Sequence, residues 1–108
     1  MTTISYDEGD WRLRLEGHAE ATADGIDPVC AGASALGWTL VEAATNREDY
    51  NAKLLIEPER ALIDVKCSPT RESRKACRQM YEIILGGLTL LAEAYPDNVR
   101  IKEGKIDD

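Results

Sequence analysis

The only histidine of the chain and one of its three cysteines lie close together in the sequence, each beside a break in the secondary-structure pattern. His18 stands in Gly17-His18-Ala19, at the end of a predicted strand, and Cys30 follows an Asp27-Pro28 pair that predicts the start of a helix. Imidazole and thiol are the groups that make and use a thiolate nucleophile near neutral pH, and such groups are often found where regular elements end. The pair is therefore a candidate catalytic dyad.

In this dyad Cys30 is the candidate nucleophile and His18 the candidate general base. With Asp27 as N-cap, Cys30 is the third residue of the helix, where free backbone N–H groups and the helix dipole favour a thiolate and could also bind an oxyanion. An imidazole, whose unperturbed pKa is about 6.5, can take the thiol proton and return it to a leaving amine. The carboxylate of Asp27 opposes the thiolate unless the cap geometry turns it away.

The segment between the two candidate groups is predicted to be mobile. Residues 19–26 are small and acidic and contain Gly25, so we expect a lid or substrate channel over the dyad with Gly25 as its hinge. Asp24 or Asp27 could orient His18 as a third member of the site, although one of them is expected to serve only as a cap. No metal ligand set is predicted, because the cysteines form no CxxC pair.

Structural roles are the alternative for each of these residues, because a lone histidine and a lone cysteine in a small domain are more often structural than catalytic. Ser34 lies one helical turn after Cys30, so its hydroxyl could support the site, but packing of a small side chain against the sheet is its more frequent role. Cys67 and Cys77 are predicted to be structural, since neither has an imidazole near it in the sequence.

The elements that must position the dyad can be read from the period of the apolar residues. Alternation and turn signals predict five strands, at residues 3–6, 11–16, 52–56, 61–66 and 99–102. Two Ser/Asp-Pro signals predict helices, one from Pro28 to about Thr45 and one from Ser68-Pro69 to a stop at Pro96. The order ββαββαβ predicts one α+β domain over residues 1–108, with a mixed, mainly antiparallel sheet and two helices in a two-layer sandwich.

A pair of glycines interrupts the second predicted helix. Glycine inside a helix costs about 1 kcal/mol relative to alanine, so Gly86-Gly87 is expected to allow the close approach of another backbone. The long apolar stripe through Leu91 exceeds what the two hairpins can cover. We therefore predict that part of this helix is buried in a two-fold dimer.

Composition limits the partners and the compartment. With 20 acidic and 13 basic residues among 108, the formal charge of −7 argues against direct binding of nucleic acid and is compatible with a basic peptide partner. The first residues have neither a basic region nor an apolar run, and no segment reaches the roughly 20 apolar residues of a membrane span. Three cysteines at irregular spacings suit reduced thiols, so we expect a cytoplasmic protein without metal or cofactor.

Four short motifs are spread over nearly the whole chain: Gly17-His18-Ala19, Gly25-Ile26-Asp27, CAGASAL at residues 30–36, and Ala92-Glu93-Ala94-Tyr95-Pro96. Together they resemble the bacterial ribosomal-processing cysteine protease family, Prp. The combination of the first motif with the third, at this separation, is more specific than either alone.

The resemblance implies a homodimeric, cytoplasmic cysteine endopeptidase that removes a short N-terminal extension from a bacterial large-subunit ribosomal protein. By this resemblance Cys30 is the nucleophile, His18 is the general base, and the partner is the ribosomal protein precursor. Phage-borne relatives also occur around the family. The alternative function is a non-catalytic ribosome-associated or phage-protein-binding module with the same fold.

Overall fold

The fold follows the predicted order of elements. A computed structural model describes residues 1–21 and 27–107. Its strands and helices alternate as ββαββαβ, and they are β1 (Thr2–Asp7), β2 (Arg12–Glu16), α1 (Pro28–Thr45), β3 (Lys53–Glu57), β4 (Leu62–Lys66), α2 (Arg74–Ala94) and β5 (Val99–Glu103). The predicted α+β class and element order are confirmed.

The five strands form one mixed sheet in the order β3-β4-β2-β1-β5. Three of its four neighbouring pairs are antiparallel, and only β1 and β5 run parallel, because α2 carries the chain back across the sheet before β5 begins. The long antiparallel centre places the end of β2 beside the turn between β3 and β4, where the backbone N–H of Gly17 donates to the carbonyl of Arg60 at 3.1 Å.

Both helices pack side by side on one face of the sheet and bury its apolar residues. Leu13 and Leu15 of β2 point into this core, as the predicted alternation requires, and meet Val65 and Ile63 of β4 across the sheet. The glycine at position 37 lets α1 approach closely, because a Cβ there would lie 2.8 Å from Cδ1 of Ile63. The two layers are therefore held by one contiguous core.

The opposite face of the sheet carries a buried charge cluster that the sequence pattern did not reveal. Asp64 in β4 accepts hydrogen bonds from Arg12 Nε at 3.0 Å, Arg12 Nη2 at 2.8 Å and Arg14 Nε at 2.8 Å. Both Asp64 and Arg12 are buried, and the ion pair between them compensates the two charges inside the protein. The sequence signal in β4 is an aspartate between the apolar residues of a strand that ends in Lys66.

The start of α2 differs from the prediction. Ser68-Pro69 does not begin the helix, because the backbone N–H groups of Ser68 and Thr70 donate to Tyr50 and Asp49 at 2.9 Å each and hold the chain extended. A 3-10 turn at Arg71–Ser73 follows, and α2 begins at Arg74. Long-range pairing of the backbone thus overrides a local serine-proline signal, and the helix still ends before Pro96 as predicted.

The expected backbone contact at Gly86-Gly87 is also corrected. A Cβ at Gly87 would lie 3.0 Å from Cδ2 of Leu36, so the close neighbour is a side chain of α1 rather than another backbone. A Cβ at Gly86 would have nothing within 4 Å. No helix within residues 1–21 and 27–107 has the length and apolar character needed to cross a membrane.

Candidate active site

His18 and Cys30 line the same groove, which lies between the start of α1, the end of β2 and the turn that joins β3 to β4. Its volume is about 260 Å³. We call it the His18–Cys30 groove. The fold therefore brings together the two groups that the sequence singled out, although 12 positions separate them along the chain (30 − 18).

The position of His18 depends on the glycine before it. Gly17 has a φ of +93°, a conformation that residues with a Cβ rarely adopt, and a Cβ there would lie only 2.5 Å from the carbonyl oxygen of Met1. This backbone turns the chain out of β2 immediately before His18. The imidazole is solvent-exposed at the rim of the groove. The glycine before the candidate histidine thus has a conformational reason.

Cys30 lies at the third position of α1 and is half-buried. Its Sγ accepts a hydrogen bond from the backbone N–H of Ala19 at 3.2 Å. Among the residues that the structure describes, the thiol makes no hydrogen bond to the imidazole of His18. The residue is free rather than disulfide-bonded.

Asp27 is the N-cap of α1, as predicted. Its Oδ1 accepts from the backbone N–H groups of Val29 at 2.9 Å and Cys30 at 3.2 Å, and its Oδ2 accepts from Ala21 at 2.8 Å. Partial desolvation acts to raise the pKa of Asp27, but the three backbone donors and the Cys30 thiol outweigh it and hold that pKa below its usual value. The carboxylate is thus kept ionised by the donors around it.

This cap corrects one expectation about the start of α1. The N–H groups of Val29 and Cys30 are already bonded to Asp27, and that of Ala31 donates to the Asp27 carbonyl at 3.0 Å. They are therefore not free donors for an oxyanion in this structure. The backbone N–H of Ala19 is the donor that points at the sulfur.

Of the other candidate site residues, two lie within the described part of the chain and two lie outside it. Ser34 is exposed and lines the groove one turn after Cys30, so its expected packing against the sheet is wrong, and Gly37 takes that place. Asp24 and the proposed hinge Gly25 lie outside the described residues. The described contacts of Asp27 do not reach His18, and orientation of the imidazole by a third group stays a prediction.

The predicted lid begins with an anchored residue. Ala19 is buried, its N–H bonds to Cys30, and its carbonyl accepts from Asn98 Nδ2 at 3.0 Å. Ala19, the first residue of the 19–26 segment, is thus held by two hydrogen bonds, and the mobility of the segment stays a prediction. Composition gave no sign of these contacts, because small residues do not report what holds their backbone.

One wall of the groove is apolar and was missed from the sequence. Trp38 of α1 stands 51% exposed at the groove, opposite Ile56 and Pro58 of the β3–β4 region, and Leu62 and Ile63 line its floor. Trp38 lies two helical turns after Cys30, so its spacing could have placed it on the same face as Ser34. The wall can take an apolar side chain of a bound peptide next to the thiol.

The other two cysteines are held away from solvent. Burial raises the pKa of Cys67, and hydrogen bonds from Tyr81 and Cys77 only partly oppose it. Burial, assisted by the neighbouring Cys67, raises the pKa of Cys77 to about 12. Both thiols are therefore poor nucleophiles at neutral pH, in agreement with the predicted structural role.

No group of three or more His, Cys, Asp or Glu side chains in residues 1–21 and 27–107 is arranged to hold a metal ion. The described site thus consists of a thiol, an imidazole, a carboxylate that caps a helix, and backbone donors.

Comparisons with known proteins identify the family and support the fold. The family model described as Cysteine protease Prp matches residues 1–100. The essential ribosomal processing protease Prp of S. aureus, with a covalently linked product peptide, has a TM-score of 0.81 at 23% identity, covering 95% of this chain and 99% of that one. Its complex with a substrate peptide gives 0.77 at 20% identity, with coverage of 95% and 99%.

A Streptococcus mutans protein has a TM-score of 0.71 at 26% identity, covering 95% of this chain and 91% of that one. The curated proteins contain no match to the chain. The S. aureus likenesses support the fold, and the family model covers all but the last eight of 108 residues (108 − 100). The resemblance found in the four motifs is thereby confirmed, and the chain belongs to the cysteine protease Prp family.

Proposed function

We propose that this protein is an endopeptidase that uses Cys30 as nucleophile and His18 as general base to remove an N-terminal extension from a bacterial large-subunit ribosomal protein. The observation that carries the proposal is the groove in which the only imidazole of the chain and the only half-buried thiol meet an apolar wall. Family membership supplies the class of reaction.

The proposed reaction has two stages. His18 takes the proton of Cys30, Sγ attacks the scissile carbonyl, and the imidazolium gives that proton to the leaving amine as the C–N bond breaks. Water, deprotonated by His18, then attacks the thioester and releases the carboxyl product and the thiol. His18 lies at the rim of the groove, and in this proposal it forms its hydrogen bond with Cys30 when a peptide fills the groove. Catalytic hydrogen bonds commonly tighten only in the complex with substrate.

The ribosomal substrate is supported by what is known of similar structures and by charge. The S. aureus protein is described as a ribosomal processing protease and was solved with substrate and product peptides. The formal charge of −7 on this chain favours approach of the basic segments typical of ribosomal proteins. The free thiols of this chain are consistent with the cytoplasm, where such proteins are made.

We also propose that the protein is a homodimer through the outer face of α2. Ile83 and Leu90 on that face are 74% and 68% exposed, and Gly86 lies between them with open space above it. These positions are three and four residues apart, so they form one continuous apolar strip on the helix. A second copy of the strip can cover it in a two-fold arrangement.

The experiment that tests the function incubates the protein with the extended ribosomal protein of its own organism and measures the mass of the product. Cleavage by wild type and its absence with Cys30→Ser are expected, while the variant still binds the extension. The non-catalytic module predicts equal binding by both proteins and no product from either. Circular dichroism of the variant checks that its fold is intact.

A further inference from the structure

The backbone on which His18 stands is clamped from behind by two side chains of other elements. The hydroxyl of Thr2 in β1 donates to the carbonyl of Gly17 at 3.0 Å, and the amide Nδ2 of Asn98 donates to the carbonyl of Ala19 at 3.0 Å. The two clamping residues are themselves joined, because the N–H of Thr2 donates to the carbonyl of Asn98 at 2.8 Å. We call residues 17–19 the catalytic segment.

The clamp connects directly to the thiol. Ala19 is bound on one side by Asn98 and, through its N–H, contacts Sγ of Cys30 at 3.2 Å on the other. Thr2 and Ala19 are both buried, so neither carbonyl contact can be replaced by bulk water without opening the structure. A shift of Asn98 would therefore move the donor that faces the nucleophile.

The motif at the end of α2 explains how Asn98 reaches this place. The helix ends at Ala94, and the carbonyl of Tyr95 then accepts from the N–H groups of Asn98 and Val99 at 3.0 Å each. Pro96 prevents the helix from continuing through this turn. The Ala92-Glu93-Ala94-Tyr95-Pro96 motif thus has a structural task at the site, although the site lies at the other end of the chain.

We propose that Asn98, with Thr2, is a positioning residue that holds the catalytic segment in register with Cys30 through Ala19. The inference rests on the proposed roles of Cys30 and His18. Asn98 touches neither reacting group, so its effect passes through the backbone of Ala19. A displacement of about 1 Å in such a support is enough to lower turnover substantially.

The test compares Asn98→Asp with a matched control elsewhere in the fold. Aspartate keeps the size of the side chain but removes the N–H donor to the Ala19 carbonyl. Asn51 also donates its Nδ2 to a backbone carbonyl, that of Ser68 at 2.9 Å, and it lies away from the groove. Asn51→Asp therefore removes a hydrogen bond of the same kind without touching the catalytic segment.

We expect Asn98→Asp to lower kcat about 10-fold or more with KM changed less than about 2-fold, while Asn51→Asp leaves both unchanged. Iodoacetamide should modify Cys30 more slowly in Asn98→Asp than in wild type, because the N–H donor that stabilises a thiolate has moved. Asn98→Gln, which keeps an amide donor, should recover part of both losses. Equal kcat and equal alkylation rates in the two aspartate variants would overturn the proposal.

Two further comparisons test the clamp if Asn98→Asp does not fold or if the wild-type protein cleaves nothing. If Asn98→Asp does not fold, Thr2→Val removes the second arm of the clamp with a side chain of the same shape, and it should slow alkylation of Cys30; an unchanged rate would contradict the clamp. If wild type cleaves nothing, the proposed function fails, whereas the alkylation comparison still decides the clamp because it needs no substrate.

Discussion

At the scale of single residues, the site depends on a glycine as much as on its reactive groups. At Gly17 the chain leaves β2 just before His18, with a φ of +93°, and the carbonyl oxygen of Met1 fills the space that a Cβ would need. The GHA motif therefore combines a conformational requirement with the chemical role that we propose for His18. Its glycine would otherwise pass for a simple strand end.

Gly17→Ala should accordingly destabilise the fold more than Gly104→Ala. Both glycines have positive φ, but a Cβ at Gly104 would have nothing within 4 Å, so that variant bears only the backbone strain of about 1–2 kcal/mol. Gly17→Ala adds a collision with backbone and should lose roughly 3 kcal/mol. Urea denaturation measures the free energy of unfolding of the two variants. Equal losses would show that the backbone at Met1 moves aside for the Cβ without lowering stability.

Asp27 predicts how stability at the site changes with pH. Its folded-state pKa lies below the unfolded value of 3.8, since backbone and thiol donors outweigh its desolvation. The ionised cap therefore contributes stability above about pH 4, and this contribution disappears as the pH falls through the folded-state pKa.

Asp27→Asn keeps an oxygen acceptor but carries no charge. Its melting temperature should be below that of wild type at pH 7, and the two should converge as the pH falls from 4 to 2. Thermal denaturation across this range measures the gap. A gap that stays constant with pH would mean that the charge of Asp27 contributes nothing to the fold.

At the scale of elements, α1 and the β3–β4 hairpin together form the apolar wall of the groove, and under the proposed function this wall binds a side chain of the peptide. Trp38→Ala should remove much of the apolar contact, raise KM several-fold and weaken any preference for a bulky apolar residue beside the cleaved bond. Leu55→Ala is the matched control, because Leu55 is an exposed apolar residue on the other face of the sheet. KM is measured with peptides that differ only in the apolar side chain beside the cleaved bond. Equal KM values for the two variants would show that Trp38 does not bind that side chain.

Element order could be predicted from this sequence because the apolar period and the turn residues agree for nearly every element. The start of α2 could not, since Ser68-Pro69 carries a genuine helix signal that is overridden by pairing with Tyr50 and Asp49. Residue type and local position also predicted the Asp27 cap, and they singled out His18 and Cys30, which line one groove and whose catalytic roles stay a prediction. The places of Trp38 at the groove and of Asn98 against Ala19 depend on contacts between distant elements, and no local pattern reports such contacts.

At the scale of the whole molecule, the outer strip of α2 predicts the oligomeric state. Light scattering at micromolar concentration should give twice the chain mass of 11.9 kDa. Leu90→Lys places a charge in the strip and should give the mass of one chain, whereas Leu55→Lys, on the far side of the sheet, should not change the mass. A wild-type protein with the mass of a single chain would contradict the dimer.

The central proposal is that Cys30 attacks the substrate and that His18 activates the Cys30 thiol. The most direct measurement mixes excess enzyme with the extended ribosomal protein, stops the reaction in acid within the first turnover, and determines the mass of the enzyme and its peptides. We predict a thioester between Cys30 and the carboxyl end of the N-terminal extension, found on the enzyme peptide that contains Cys30, and a fall of about 100-fold or more in its rate of formation in His18→Asn. Complete cleavage without an adduct, and at an equal rate in Cys30→Ser, would contradict the account.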